Sequence, residues 1–136
     1  MIDKVGLLAI RDGKVLLCRK KRGTTLLILP GGKREAGESS LECLGRELRE
    51  ELGDVTAASP ELIDVYTYAA AGVTGETVRV ELYRAALTGE PRAQSEIGEL
   101  VWFGARDDRA LLAPSLAFLI FPDLAARGIL ADWTGW

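Results

Sequence analysis

The feature that most constrains this chain is a loop-then-helix stretch, Gly31 to Gly53, reading GGKREAGESSLECLGRELREELG. Leu41, Leu44, Leu48 and Leu52 recur at spacings of three and four, and at about 100° per residue they share one apolar stripe. Glu47, Glu50 and Glu51 stand at i, i+3 and i+4, on a second face roughly 110° away. Like charges at these spacings repel, so a helix that keeps them either bathes them in water or supplies a cation. Ahead of the helix, Pro30-Gly31-Gly32 breaks regular structure and lets backbone approach a ligand. Ser39 or Ser40 can cap the helix, with Glu42 completing a capping box on Ser39.

A glutamate cluster beyond a glycine-rich loop is a set of hard oxygen donors, which suits Mg²⁺ or Mn²⁺. Such an ion is typically shared between a few carboxylates and the phosphates of a substrate.

With these positions in view, the stretch resembles the signature of the Nudix hydrolases, G-x5-E-x7-R-E-U-x-E-E-x-G-U, where U is bulky and apolar. The matching residues are Gly32, Glu38, Arg46, Glu47, Leu48, Glu50, Glu51 and Gly53. Asp54 stands where the last apolar residue belongs, and Val55 is expected to take over its packing. The resemblance implies a Nudix-type α/β/α sandwich with a mixed β-sheet between helices. From the residues alone the reading is mixed α and β, one domain over residues 1–136.

Composition excludes several chemistries. The chain has no histidine, so neither a serine or cysteine triad using histidine nor a His-ligated zinc is available. Acid–base work falls to carboxylates, Lys, Tyr or metal-bound water. Cys18 and Cys43 fit no CxxC or metal pattern and read as buried thiols in a reducing, cytoplasmic setting. A net charge of −3 gives no general affinity for nucleic acid or a membrane. The opening apolar run is too short for a signal peptide or a membrane span. The expected partner is a small nucleotide; a homodimer is left open.

Along the chain, Val5 to Ile10 reads as a buried strand, Asp12-Gly13 as a hairpin turn, and Val15 to Arg19 as the returning strand. Thr25 to Leu29 reads as a third strand ended by Pro30. Leu62 to Tyr68 and Thr77 to Leu87 follow, joined by a small-residue connection from Ala69 to Gly75. Thr77 to Leu87 alternates, with Val78, Val80 and Leu82 on one face. A short strand over Leu100 to Phe103 precedes a helical region from Ser115 to Arg127, which Pro122 should kink or split. The tail from Asp132 to Trp136 is expected on the surface or frayed.

The residues and the resemblance together place the chemistry. Glu47, Glu50 and Glu51 are the expected metal ligands, and the resemblance adds the carbonyl of Gly31. Arg46 is expected beside them, supported by Glu38. Gly31 and Gly32 are expected against the substrate, Arg19 on its phosphates, and Tyr66 or Phe118 near its base. Glu96 and Glu99 are weaker candidates for a late-loop carboxylate. The implied activity is Mg²⁺-dependent hydrolysis of a nucleoside diphosphate linked to another moiety. Few residues precede the first strand, leaving no room for the added N-terminal region often found in family members acting on ADP-ribose. The expected substrates are therefore nucleoside triphosphates, oxidised ones included. The alternatives are an ADP-ribose or nucleotide-sugar pyrophosphatase, or a non-catalytic nucleotide-binding module.

Overall fold

A computed structural model describes residues 1–70, 72 and 74–136. Strand β1 (Ile2–Leu8) and the return strand β3 (Lys14–Lys20) carry near-continuous apolar runs because both of their faces are buried. Val5 and Leu7 of β1, with Leu16 and Cys18 of β3, face one core; Leu8, Val15 and Leu17 face another. The two-residue strand β2 (Ile10–Arg11) pairs with β3 through a turn whose Asp12 and Gly13 both have positive φ, as a two-residue hairpin requires.

The strands form a four-stranded sheet in the order β4-β1-β6-β5 and a three-stranded sheet β2-β3-β7. Here β4 is Gly31–Lys33, β5 Thr56–Ala69, β6 Thr77–Thr88 and β7 Ile97–Phe103. β1 runs parallel to β6, and the other pairings are antiparallel. β5 begins earlier than sequence patterning suggests, because its first part pairs with the end of β6 from Thr56↔Thr88 onward. The expected connection from Ala69 to Gly75 includes residues 71 and 73, which lie outside the described residues. The expected strand over Thr25 to Leu29 reduces to two isolated bridges, Cys18↔Ile28 and Leu27↔Leu112, through which the segment spans two elements without extending either sheet.

Helix α1 (Ser40–Leu52) covers the first core with Cys43, Leu44, Leu48 and Leu52. Leu41, expected in that stripe, is half exposed, and Cys43 takes the buried place. The capping box of Ser39 and Glu42 is present. Gly53 ends the helix with φ 88° and ψ −145°, a backbone that favours glycine, and Val55 is buried as the substitute for Asp54.

The opposite core is covered by a π-helical turn, Leu116–Ile120, running into α2 (Phe121–Ala126). Pro122 sits at the start of α2, where its missing N–H costs nothing. The tail does not fray. Trp133 and Trp136 pack with Phe103 and Phe121, and Phe121 meets Trp133 edge-on at 5.0 Å between centroids. Each indole has a partner: Trp133 donates to the Gly13 carbonyl at 2.9 Å, and Trp136 to Ala105 at 3.0 Å. Helices on either face of mixed sheets make the architecture an α/β/α sandwich.

Candidate functional site

A cleft of about 650 Å³ runs from the α1 flank to the π-turn flank. Glu47, Glu50 and Glu51 line it from α1, Gly31 and Gly32 from β4, and Lys4, Lys20 and Lys33 from three strand positions. Tyr68, Val80, Leu29, Leu116 and Ile120 supply an apolar wall on the other side. The cleft is therefore ionic on one flank and apolar on the other, a composition that suits a ligand with a charged part and a flat, hydrophobic part.

The three glutamates are held differently. Glu51 accepts a hydrogen bond from the Gly31 backbone N–H at 2.8 Å. Burial pushes its carboxyl up to about 7, with Glu47 adding to the rise and the Gly31 N–H opposing it. Glu47 is 14% exposed and receives Arg46 Nη1 at 3.0 Å; burial raises its pKa against that pairing. Glu50 is 53% exposed and meets the same guanidinium nitrogen at 3.3 Å.

Arg46 is the hub of this wall. Its Nε donates to Glu38 at 2.6 Å and its Nη2 to the other Glu38 oxygen at 2.9 Å, a bidentate fork. Nη2 also donates to the Lys33 carbonyl at 3.1 Å, tying the helix to β4. Arg46 and the backbone N–H of Glu35 hold the Glu38 carboxyl down to about 2. The loop comes this close only because it is glycine. Gly31 has φ 135°, and a Cβ there would run into the Val5 carbonyl oxygen. At Gly32 a Cβ would stand 2.5 Å from the Glu47 carboxyl carbon.

Among the described residues no three His, Cys, Asp or Glu side chains are drawn together as a closed metal cage. Arg46 and the Gly31 N–H engage Glu47 and Glu51 instead. The donor set nevertheless fits a hard divalent cation: three carboxylates on one cleft wall, two of them with raised pKa, beside a backbone that admits no side chain. No helix of the described residues is long and apolar enough to cross a membrane.

Residues 2–116 match the NUDIX domain. The chain belongs to the Nudix family. An uncharacterized Nudix hydrolase of Bacillus subtilis (strain 168), YvcI, is 32% identical over 123 residues, which cover 88% of this chain and 77% of that protein. The CTP pyrophosphohydrolase of Escherichia coli (strain K12) is 45% identical over a shorter stretch of 56 residues, 39% of this chain and 42% of that protein. The crystal structure of a MutT NUDIX hydrolase from Burkholderia pseudomallei superposes with a TM-score of 0.70 at 31% identity, covering 79% of this chain and 85% of that one. This chain is thus a MutT-like Nudix hydrolase.

Within this Nudix fold several expected contacts fall elsewhere. Arg19 does not line the cleft: its guanidinium pairs with Glu99 and donates to the Thr25 carbonyl at 3.0 Å. Glu99 is occupied by that pair, whereas Glu96 lines the cleft. Tyr66 is buried with its hydroxyl on Asp123 at 2.6 Å, a tie between β5 and α2 rather than a base platform. Phe118 is 83% exposed and turned away from the cleft.

Four groups at or beside the site, Lys4, Lys20, Lys33 and Glu81, lie outside the expected set. Lys20 lines the cleft in place of Arg19. Its parity with Leu16 and Cys18, which face the α1 core, was the available signal. Tyr68 rather than Tyr66 lines the cleft; alternation puts both on one face and cannot say which end of β5 is left uncovered. Lys4 stands in the charged opening of the chain, where no local pattern marks it for the cleft. Glu81 is buried and receives Arg34 at 2.6 Å, Ser40 at 2.7 Å, Arg79 at 2.9 Å and Tyr83 at 3.1 Å. Burial opposes its charge, but these donors hold its pKa below the ordinary value. Through Arg34 and Ser40 it pins the signature loop and the start of α1 to β6.

Proposed function

We propose that this chain is a Mg²⁺-dependent pyrophosphohydrolase that splits nucleoside triphosphates into monophosphate and pyrophosphate. The observation that carries this reading is the division of one cleft into three glutamates facing three lysines on one flank and an apolar wall with Tyr68 on the other. The likeness to a CTP pyrophosphohydrolase over 56 residues supports the same substrate class.

Glu47, Glu50 and Glu51 would hold the metal, together with the Gly31 carbonyl. When bound, such an ion neutralises phosphate charge and lowers the pKa of a water. The residues of the chain do the rest. Arg46 orients Glu47, and the Gly31 N–H orients Glu51. Lys20 and Lys33 bind phosphate oxygens, while Tyr68, Leu29 and Val80 receive the base. Glu96 is the late-loop carboxylate that accepts the proton of the attacking water as its oxygen bonds to phosphorus and pyrophosphate departs.

The test is a panel of nucleoside triphosphates, their oxidised forms and ADP-ribose, assayed with Mg²⁺ and with chelator. Monophosphate and pyrophosphate are the expected products, formed only with metal. A kcat/KM for ADP-ribose well above that of every triphosphate would overturn the substrate reading.

A further inference from the structure

Lys4 is the one cleft lysine on β1, an inner strand of the four-stranded sheet, opposite Lys33 of the edge strand β4 and Val80 of β6. Its neighbour Asp3 is engaged by Arg34 at 3.2 Å and Arg79 at 3.2 Å, and Glu81 by the same two arginines. Among the described residues no carboxylate forms an ion pair with Lys4. Burial and then the nearby charges of Lys20 and Lys33 hold its ammonium below its ordinary pKa, while Glu51 and Glu47 pull it back up. An inward-facing cation without a partner, beside two others, costs stability in the free protein. Such an arrangement is made favourable by a polyanion that reaches all three.

We infer that Lys4 is a specificity-determining residue that holds the substrate's phosphate chain from the sheet side of the cleft, opposite the glutamate wall, and so selects by the number of phosphates rather than by the base. The inference deepens the proposed nucleotide reading and rests on it. Lys4 stands in register between Lys33 of the ionic flank and Val80 of the apolar wall, where a phosphate chain would join a nucleoside seated against Tyr68. It adds to ground-state binding, and its loss is felt in KM more than in kcat.

The experiment is steady-state kinetics on Lys4→Met and Lys4→Arg with ATP, GTP, CTP and their diphosphates, beside competition by inorganic tripolyphosphate. Losing one charge-assisted contact raises KM about ten- to a hundredfold. Lys4→Met should show this for every triphosphate, less for diphosphates, with kcat nearly unchanged, and Lys4→Arg should restore most of it. The melting temperature of ligand-free Lys4→Met should equal or exceed that of the parent, because a mutual repulsion is gone. An unchanged KM, or a rise confined to one base, would overturn the inference while leaving the nucleotide reading intact. If no triphosphate is hydrolysed yet tripolyphosphate binds in a Lys4-dependent way, the substrate reading fails and Lys4 stands. If no triphosphate is hydrolysed and tripolyphosphate does not bind the parent protein, both fail.

Discussion

On the α1 flank of the cleft, polar side chains close together in sequence hold one another by hydrogen bonds: Glu38, Glu47 and Glu50 all meet the Arg46 guanidinium. In the core behind the cleft's apolar wall, Phe103, Phe121, Trp133 and Trp136 come from three separate parts of the chain and hold one another by buried area. The first flank is rich in groups that stability alone would not choose, since Glu47 and Glu51 are both raised by burial. The second contains almost nothing but packing. Chemistry and stability are thus divided between the α1 wall of the cleft and the aromatic core behind it, and substitutions in each should fail in different ways.

The largest expected effect is on the packing side. Trp133 is almost fully buried, and its indole bridges from the C-terminal tail to the β2–β3 turn at Gly13. Trp133→Ala should lower stability by about 3–5 kcal/mol, as for other large aromatic truncations. Chemical denaturation measures this. Any activity that survives in the folded fraction should keep the parent KM. A changed KM at full folding would mean that the tail shapes the cleft and that the two regions are not separable.

On the other side, Glu51→Gln should cost at least about a hundredfold in kcat, the order expected when a ligand to a catalytic metal is lost. Its metal-free melting temperature should hold or rise, because a carboxylate raised to about 7 is disfavoured by its surroundings when charged. Near-parental turnover with Mg²⁺ would remove Glu51 from the chemistry.

The same division explains what could be read from sequence. The α1 wall was legible because helix geometry fixes which side chains meet at i+3 and i+4, and the capping box and glycine loop are equally local. The fully buried strands were legible as continuous apolar runs. The aromatic cap was not, since a tail at 132–136 meeting a turn at 13 is a long-range event with no local pattern. Strand parity points to Lys20 rather than Arg19: the two are adjacent, and the bulge between them separates a residue tied to Glu99 from one in the cleft. Glu81 sits on the polar face of an alternating strand, and only the packing of Arg34 and Ser40 over it makes it a buried anchor.

A smaller effect tests how the α1 wall is braced. Glu38 touches Arg46 rather than the cleft, so Glu38→Gln should reduce turnover by about 10- to 100-fold through the loosened guanidinium. Its signature in stability is pH dependence. The Glu38 carboxyl is depressed from 4.5 to about 2, with the Arg46 hydrogen bonds as the main cause. A depressed carboxylate contributes stability above its unfolded pKa and loses it as pH falls through the folded one. In chelator, the stability gap between parent and Glu38→Gln should therefore be constant above about pH 5 and close between about 4.5 and 2. A gap that persists unchanged to pH 2 would mean that the charge of Glu38 is not what braces Arg46.

The smallest effect is expected at Phe118, which also sharpens the comparison most. By residue type it belongs with the aromatic core, yet it is 83% exposed on the outside of the π-helical turn, while its neighbours Leu116, Ala117 and Ile120 are buried. A wide turn five residues long cannot bury every apolar side chain, and Phe118 points where neither the core nor the cleft lies. Phe118→Ser should change stability by no more than about 0.5 kcal/mol, the range of ordinary surface substitutions. It should leave kcat and KM for every nucleotide at parental values. Tyr68→Ser, on β5 in the cleft wall, should by contrast raise KM, because its ring lines the cleft where the base is proposed to sit. If Phe118→Ser raised KM and Tyr68→Ser did not, the base would lie over the π-turn, and the cleft's apolar wall would be packing alone.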